Sequence, residues 1–100
     1  NDFRRVDLKC QLAGSADHVA AMELLREKLA GINNVMTKPG VEVDILEFNL
    51  VGPVLAVRPY CHTDHYWQVY FDGNRCIRES LAAAGFPAPM PAQTVHMLQQ

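Results

Sequence analysis

The residues best equipped for chemistry lie together in Cys61-His62-Thr63-Asp64-His65. A thiol, two imidazoles and a carboxylate are ligand types that zinc takes, three or four at a time in a tetrahedron. Their spacing works against such a site. His62 precedes a helix predicted to start at Thr63, and Asp64 and His65, adjacent on that helix, point about 100° apart. No C-x-x-C pair supplies the other half of a site elsewhere. A helix cap is the expected role: Thr63 as N-cap, Asp64 near the positive end of the helix, and the imidazoles in water. Cys61 and His65 would make a thiolate and its base only with a third group to orient them, and none is evident. Asp7 and Glu47 can face each other across a sheet, as exposed polar pairs do without any chemistry. His18 and His96 stand alone. The three cysteines, Cys10, Cys61 and Cys76, form no pair pattern and read as free thiols in a reducing compartment. The glycines are scattered, with no phosphate-cradling loop and no G-x-S-x-G. The expectation is no catalytic residue, no metal and no cofactor.

The other dense group is aromatic: Tyr60, Tyr66, Trp67, Tyr70 and Phe71. Aromatics interleaved with basic residues can stack nucleic-acid bases. Here Arg58 is the only basic residue nearby before Arg75, and most of these rings fall on a helix rather than on strands. Core and interface packing is the expected role.

The elements that must position these groups follow from periodicity. Val6 to Leu12 alternates apolar and polar, the pattern of a strand with one buried face. Ser15 is the expected N-cap of a first helix, with Asp17 in its first turn and Val19, Met22, Leu25, Leu29 and Ile32 along one side. Val41 to Leu50 is a second strand whose apolar phase flips after Ile45, which calls for a bulge near Leu46 or a strand covered on both faces for part of its length. Gly52-Pro53 turns the chain into a third strand, Val54 to Tyr60, where Pro59 marks either an edge or an end. A long second helix runs from Thr63 to Gly85, weakened at Gly73. The predicted core is Val19, Met22, Leu25, Leu29, Trp67, Ile77 and Leu81. Pro87, Pro89 and Pro91 then make a stiff extended spacer before a short candidate strand at Thr94–Leu98. A stiff spacer holds a strand away from its domain better than it returns it. The order predicts an α+β fold: a ferredoxin-like β-α-β-β-α(-β) sandwich, with helices on one face of an antiparallel or mixed sheet and a Pro-rich exit to a short C-terminal strand.

Length and charge narrow the function classes. One hundred residues make one ordinary domain, and 49% hydrophobic with 20% charged is a globular composition. A net charge of -2 gives no basic field for a phosphate backbone, so nucleic acid is not an expected partner. The apolar runs are a few residues long, against about 20 for a bilayer crossing. The chain opens on Asn1 without an apolar leader, and so reads as mature, trimmed or excised.

Arg58-Pro59-Tyr60-Cys61-His62-Thr63-Asp64-His65-Tyr66-Trp67, with Phe71-Asp72 and Ile77-Arg78 and then Ala84-Gly85-Phe86-Pro87-Ala88-Pro89-Met90-Pro91-Ala92-Gln93-Thr94-Val95, has a familiar outline. It resembles the C-terminal cytoplasmic domain of the small-conductance mechanosensitive ion channel (MscS) family, and Val6 to Ile32 looks like that family's first strand and helix. Ala92, where many members carry Gln, and the doubled His62/His65 depart from the pattern. The resemblance implies a homoheptameric channel of the bacterial inner membrane that opens under bilayer tension in osmotic stress. Its pore helices would precede Asn1, so this domain meets the membrane only through them and faces the cytoplasm. The implied division is residues 1–86 as the α/β domain of the channel vestibule, and 87–100 as a Pro-rich spacer and short oligomerisation strand. Pro89 and Pro91 would be the exit prolines, and Thr94, Val95 and Met97 assembly residues of a barrel built by the copies together. The implied role is architectural, not enzymatic: assembly, vestibule filtering and modulation of gating. The isolated fragment is expected to be monomeric in dilute solution. A free-standing ferredoxin-like binding domain and a small enzyme are the competing readings. Apolar stretches encoded upstream of Asn1 would separate them from the channel.

Overall fold

The computed structural model describes Asp2 to Met90. Its elements in order are β1 (Phe3–Arg5), β2 (Leu8–Gln11), α1 (His18–Ala30), β3 (Glu42–Phe48), β4 (Pro53–Arg58), β5 (Tyr60–His62), a 3-10 turn (Thr63–His65) and α2 (Tyr66–Ala83). The expected α+β class is what forms. β2, β4 and β3 make an antiparallel sheet in that order, and β1 pairs with β5.

The two pairs β1–β5 and β2–β4 are one interrupted ladder. Arg5 faces Tyr60 and Leu8 faces Val57, with the register unchanged across the gap. The gap falls at Pro59. The Val6 N–H donates to the Pro59 carbonyl at 2.8 Å, but proline has no N–H to return the bond. The third strand is central, so Pro59 marks an interruption and not an edge. The described strands follow the order first, third, second of a split β-α-β-β unit. The predicted strand Thr94–Leu98 lies outside the described residues.

The phase flip after Ile45 is a bulge, as expected. Ile45 faces Leu55 and Glu47 faces Val54, which leaves Leu46 as the extra residue. Both helices cover one face of the sheet, α1 over β3 and β4, α2 over β2 and β5. Val6, Leu8, Cys10 and Leu12 point into that layer, with Val43, Leu55 and Val57 from the neighbouring strands.

Two helix faces differ from expectation. The buried stripe of α1 is Ala21, Leu25 and Leu29, and Val19 is 55% exposed. The buried stripe of α2 is Val69, Gly73 and Ile77, and Trp67 is 61% exposed. Val19 lies six residues before Leu25, and Trp67 six before Gly73. At about 100° per residue each is rotated about 120° off its stripe. Met22 and Leu81 pack half-buried against the core, while Leu25, Leu29 and Ile77 are buried as predicted. Gly73 does not break α2. It lets the helix sit on β2 so closely that a Cβ would come 2.5 Å from Leu8 Cδ1.

The caps also shift. Asp17, not Ser15, caps α1, its carboxylate accepting from the Ala20 N–H at 3.2 Å. His62, not Thr63, caps the 3-10 turn. Thr63 instead ties the chain start down, donating from both its N–H and its hydroxyl to the Asp2 carbonyl at 2.8 Å.

Candidate assembly surfaces

Cys61-His62-Thr63-Asp64-His65 is built as a cap. Cys61, on β5, is fully buried, and burial raises its thiol pKa despite the opposing Arg4 charge. His62 Nδ1 accepts a 3.0 Å hydrogen bond from the Asp64 N–H. The Asp64 carboxylate lies 3.6 Å from the same atom, and the His62 and His65 rings meet edge to face at 6.2 Å. Among the described residues no three of His, Cys, Asp and Glu gather as metal ligands. A buried neutral thiol is also a poor nucleophile. Cys10 is similar, its pKa pushed up to about 11 by burial.

Asp7 and Glu47 do not meet. Asp7 holds Arg5 at 2.8 Å and Arg58 at 3.5 Å, at the level of Arg58 on β4. Glu47 lies at the level of Val54, four residues along, which is about 13 Å at about 3.3 Å per residue. His18 begins α1, exposed.

The structure displays apolar side chains rather than reactive ones. Tyr66 and Tyr70 lean half-buried on the core. Trp67 and Phe71 stand out from α2, stacked on each other at 5.8 Å, and Tyr66 meets Trp67 edge to face at 5.0 Å. The Arg4 guanidinium lies 4.0 Å over the Tyr66 ring. Tyr60 donates its hydroxyl to Glu42 Oε2 at 3.4 Å. The stacked rings extend α2 outward, and Phe3 is also exposed. A second apolar surface follows β3 into its hairpin: Ile45, Leu46, Phe48 and Leu50 are 37%, 42%, 72% and 90% exposed. Sequence reasoning saw the phase flip but took it for a bulge or for cover on both faces of the strand, and did not expect these residues to stand exposed. The signal was the phase flip itself, which presents apolar residues to both faces of the strand.

A groove of about 390 Å³ runs between β2 and the second half of α2 and is closed at one end by Phe86 to Pro89. Pro89 therefore lies against the domain. The other expected assembly residues, Pro91, Thr94, Val95 and Met97, lie outside the described residues, as does His96.

The domain buries Cys10 and Cys61, caps a turn with His62 and exposes aromatic and aliphatic surfaces of the kind that mark protein contact sites. No family model matches the chain. It is 26% identical over 96 residues to the small-conductance mechanosensitive channel of Edwardsiella ictaluri, a match over 96% of this chain and 34% of that protein. Its fold matches the closed-state crystal structure of Helicobacter pylori MscS with a TM-score of 0.78, at 14% identity, over 91% of this chain and 37% of that one. The chain spans about a third of each relative. The relative in sequence and the relative in fold are both mechanosensitive channels of the small-conductance type, the family that the residues resemble. These relatives are channels, not enzymes. No helix among the described residues is long and apolar enough to cross a membrane.

Proposed function

We propose that this chain is the extramembrane, cytoplasm-facing part of a mechanosensitive channel subunit of the bacterial inner membrane. The subunit assembles as a homoheptamer that passes ions and small solutes in osmotic stress. The observation that carries this reading is the agreement of a sequence match over 96% of this chain with a fold match to the same kind of channel. Residues 1–86 would form the wall of a vestibule that filters solutes and modulates gating. Residues 87–100 would form the spacer and oligomerisation strand, with Pro89 and Pro91 stiffening the exit. Thr94, Val95 and Met97 would then pair with neighbouring copies. Five residues are too few for a stable strand alone, and a barrel shared between chains removes the edges each strand would expose. The exposed apolar surfaces suit contact between subunits.

The test is to express the full-length protein in bacteria lacking their own mechanosensitive channels. It should restore survival of hypo-osmotic shock and give tension-activated currents in excised patches. A copy truncated after Phe86 should fold but assemble less well. Full expression in the membrane with neither survival nor current would refute the channel reading. If truncation unfolds the domain, the tail strand belongs to its own sheet.

A further inference from the structure

One edge of the sheet is open beside the place where the chain leaves α2. The Val6 and Leu12 N–H groups donate to the Pro59 and Pro53 carbonyls at 2.8 Å, so the even positions from Val6 to Leu12 bond to the central strand. Lys9 and Gln11, between them, direct their N–H and carbonyl groups outward. Among the described residues no backbone bond reaches those groups. An edge left bare in this way invites another strand.

α2 runs along this edge in the direction of β2. The Arg4 guanidinium lies over Tyr66, Gly73 sits on Leu8, and Ile77, Leu81 and Phe86 line the groove with Cys10 and Leu12. The helix therefore ends at the Leu12 end of the edge. There Gly85 turns the chain with a φ of +83°, the Phe86 N–H donates to the Leu81 carbonyl at 3.0 Å, and Phe86 packs against the core. With Phe86 to Pro89 closing the groove, the exit delivers the chain to the mouth of the open edge.

We propose that in a subunit not yet assembled Thr94–Leu98 lies in this groove as a strap along β2, and that assembly draws it off to pair with other copies. This rests on the reading of the tail as an oligomerisation strand. Length agrees: ten residues, 91–100, follow Met90, and the edge from Leu12 back to Leu8 is four steps of about 3.3 Å, about 13 Å. Direction agrees: a chain entering at the Leu12 end runs antiparallel to β2 and needs no crossover. The apolar pattern sets the register. The groove is lined by Cys10 and Leu12 but not by Leu8, which Gly73 already covers. Val95 and Met97, on one face of the strap, then lie beside Leu12 and Cys10, toward Ile77 and Leu81. His96 and Leu98 fall opposite Gln11 and Lys9 and take up their open backbone groups. So short a strap is held weakly and keeps an edge of its own, whereas strands shared between copies can close every edge. The strap thus covers β2 until copies meet, and then gives way.

The experiment compares the 100-residue chain in dilute solution with the full-length protein in its membrane, both carrying Met97→Cys and Cys76→Ser. In this register Met97 and Cys10 form a non-hydrogen-bonded pair with Cα atoms about 4.5 Å apart, within reach of a disulfide. Under copper phenanthroline the dilute chain should form a bond from the Met97→Cys thiol to Cys10 within one chain, lost with Cys10→Ala. The membrane protein should instead be bonded between copies through Met97→Cys. Without the cysteine changes, His96→Pro removes the donor to Gln11, and hydrogen exchange of the Lys9 and Gln11 N–H groups in the dilute chain should rise about tenfold. No bond to Cys10 in the dilute chain, with exchange there unchanged by His96→Pro, refutes the strap and leaves the channel reading standing. A bond to Cys10 that joins two chains overturns it in favour of a tail swapped between copies. A bond to Cys10 within one chain in the membrane protein as well refutes the release, and with it the tail's role in assembly.

Discussion

Gly52→Ala should be the most damaging small change in the domain. Gly52 sits in the turn between β3 and β4. A Cβ there would lie 2.6 Å from the Leu12 carbonyl oxygen, 2.7 Å from the Gly14 nitrogen and 2.8 Å from the Ala13 carbonyl carbon. All three are backbone atoms, so no rotamer change relieves the overlap. The turn must move off the segment that follows β2, and several bonds cross that join. The Leu12 N–H donates to the Pro53 carbonyl at 2.8 Å, and Asn49 Nδ2 donates to Gln11 Oε1 at 2.7 Å. Inside the turn, Asn49 Oδ1 accepts from the Val51 and Gly52 N–H groups at 3.0 and 3.1 Å. Losing two such bonds costs about 1–3 kcal/mol at about 0.5–1.5 each. Overpacking adds about 1–3 kcal/mol. The sum is about 2–6 kcal/mol, a large part of a small domain's stability. Gly85→Ala is the control. Gly85 has a φ of +83°, and a Cβ there meets nothing within 4 Å, so it carries only the left-handed cost of about 1–2 kcal/mol. Urea unfolding of the 100-residue chain, followed by circular dichroism, measures both. If Gly52→Ala costs no more than Gly85→Ala, the backbone approach does not hold the hairpin in place.

Gly73→Ala gains about 1 kcal/mol of helix propensity but overpacks Leu8 by about 1–3 kcal/mol, for a net loss of about 1 kcal/mol. Combined with Leu8→Ala it should cost less than the two losses added, which a double-mutant cycle in urea would show. Leu25→Ala, at a fully buried position, should cost about 2–5 kcal/mol, and a loss under about 0.5 kcal/mol would mean that α1 packs on another face. Cys10 is neutral in the fold up to a pKa of about 11. The folded chain therefore holds that proton more tightly than the unfolded one, and stability should fall as pH rises through the window from the ordinary thiol value to about 11. The drop is about 2 kcal/mol, read as the difference between the parent and Cys10→Ala in urea melts across that range.

Strands were legible because their period is short and their breaks are chemical. Alternation through Val6 to Leu12, the flip at Leu46 and the missing donor at Pro59 each mapped onto a ladder feature. Helices were legible as elements, but their buried faces were not. The true stripes run through Ala21 and Gly73, whose small size brings a helix close to its neighbours, and a search for large apolar residues passes over them. Val19 and Trp67 drew attention by size and lay about 120° away. The caps slipped for a related reason. Ser15, Asp17, His62 and Thr63 all have a side chain able to cap, and the choice depends on where the preceding strand delivers the backbone. The run Cys61 to His65 does hold a cap, but the capping side chain is His62 on a 3-10 turn and not Thr63 on the helix, because spacing, more than composition, decides what the side chains can reach.

The misread residues share a physical meaning. An apolar stripe rotated off the core is still a stripe, and it has the periodicity of something meant to be covered. Trp67 and Phe71 stack outside α2, and Leu46, Phe48 and Leu50 line an open strand and its turn. The core of this domain is small, with Leu25, Leu29, Leu55, Val6, Val43, Val57 and Val69 as its large fully buried aliphatic residues. At about 25 cal/mol per Å² of apolar surface removed from water, covering the outer aromatics and the β3 edge would add stabilisation comparable in kind to that core. A chain of this size leaves a large share of its surface exposed on folding, so what it cannot bury alone it can bury against copies of itself. If copies meet as proposed, fold and assembly are coupled: contact between copies would stabilise the folded state by mass action, and loosening the hairpin at Gly52 would also remove a contact surface. Gly52→Ala should therefore lower the oligomer yield of the full-length protein more than Gly85→Ala does, beyond what their difference in domain stability accounts for. Equal yields at equal stability would mean that the β3 hairpin faces solvent in the assembled protein.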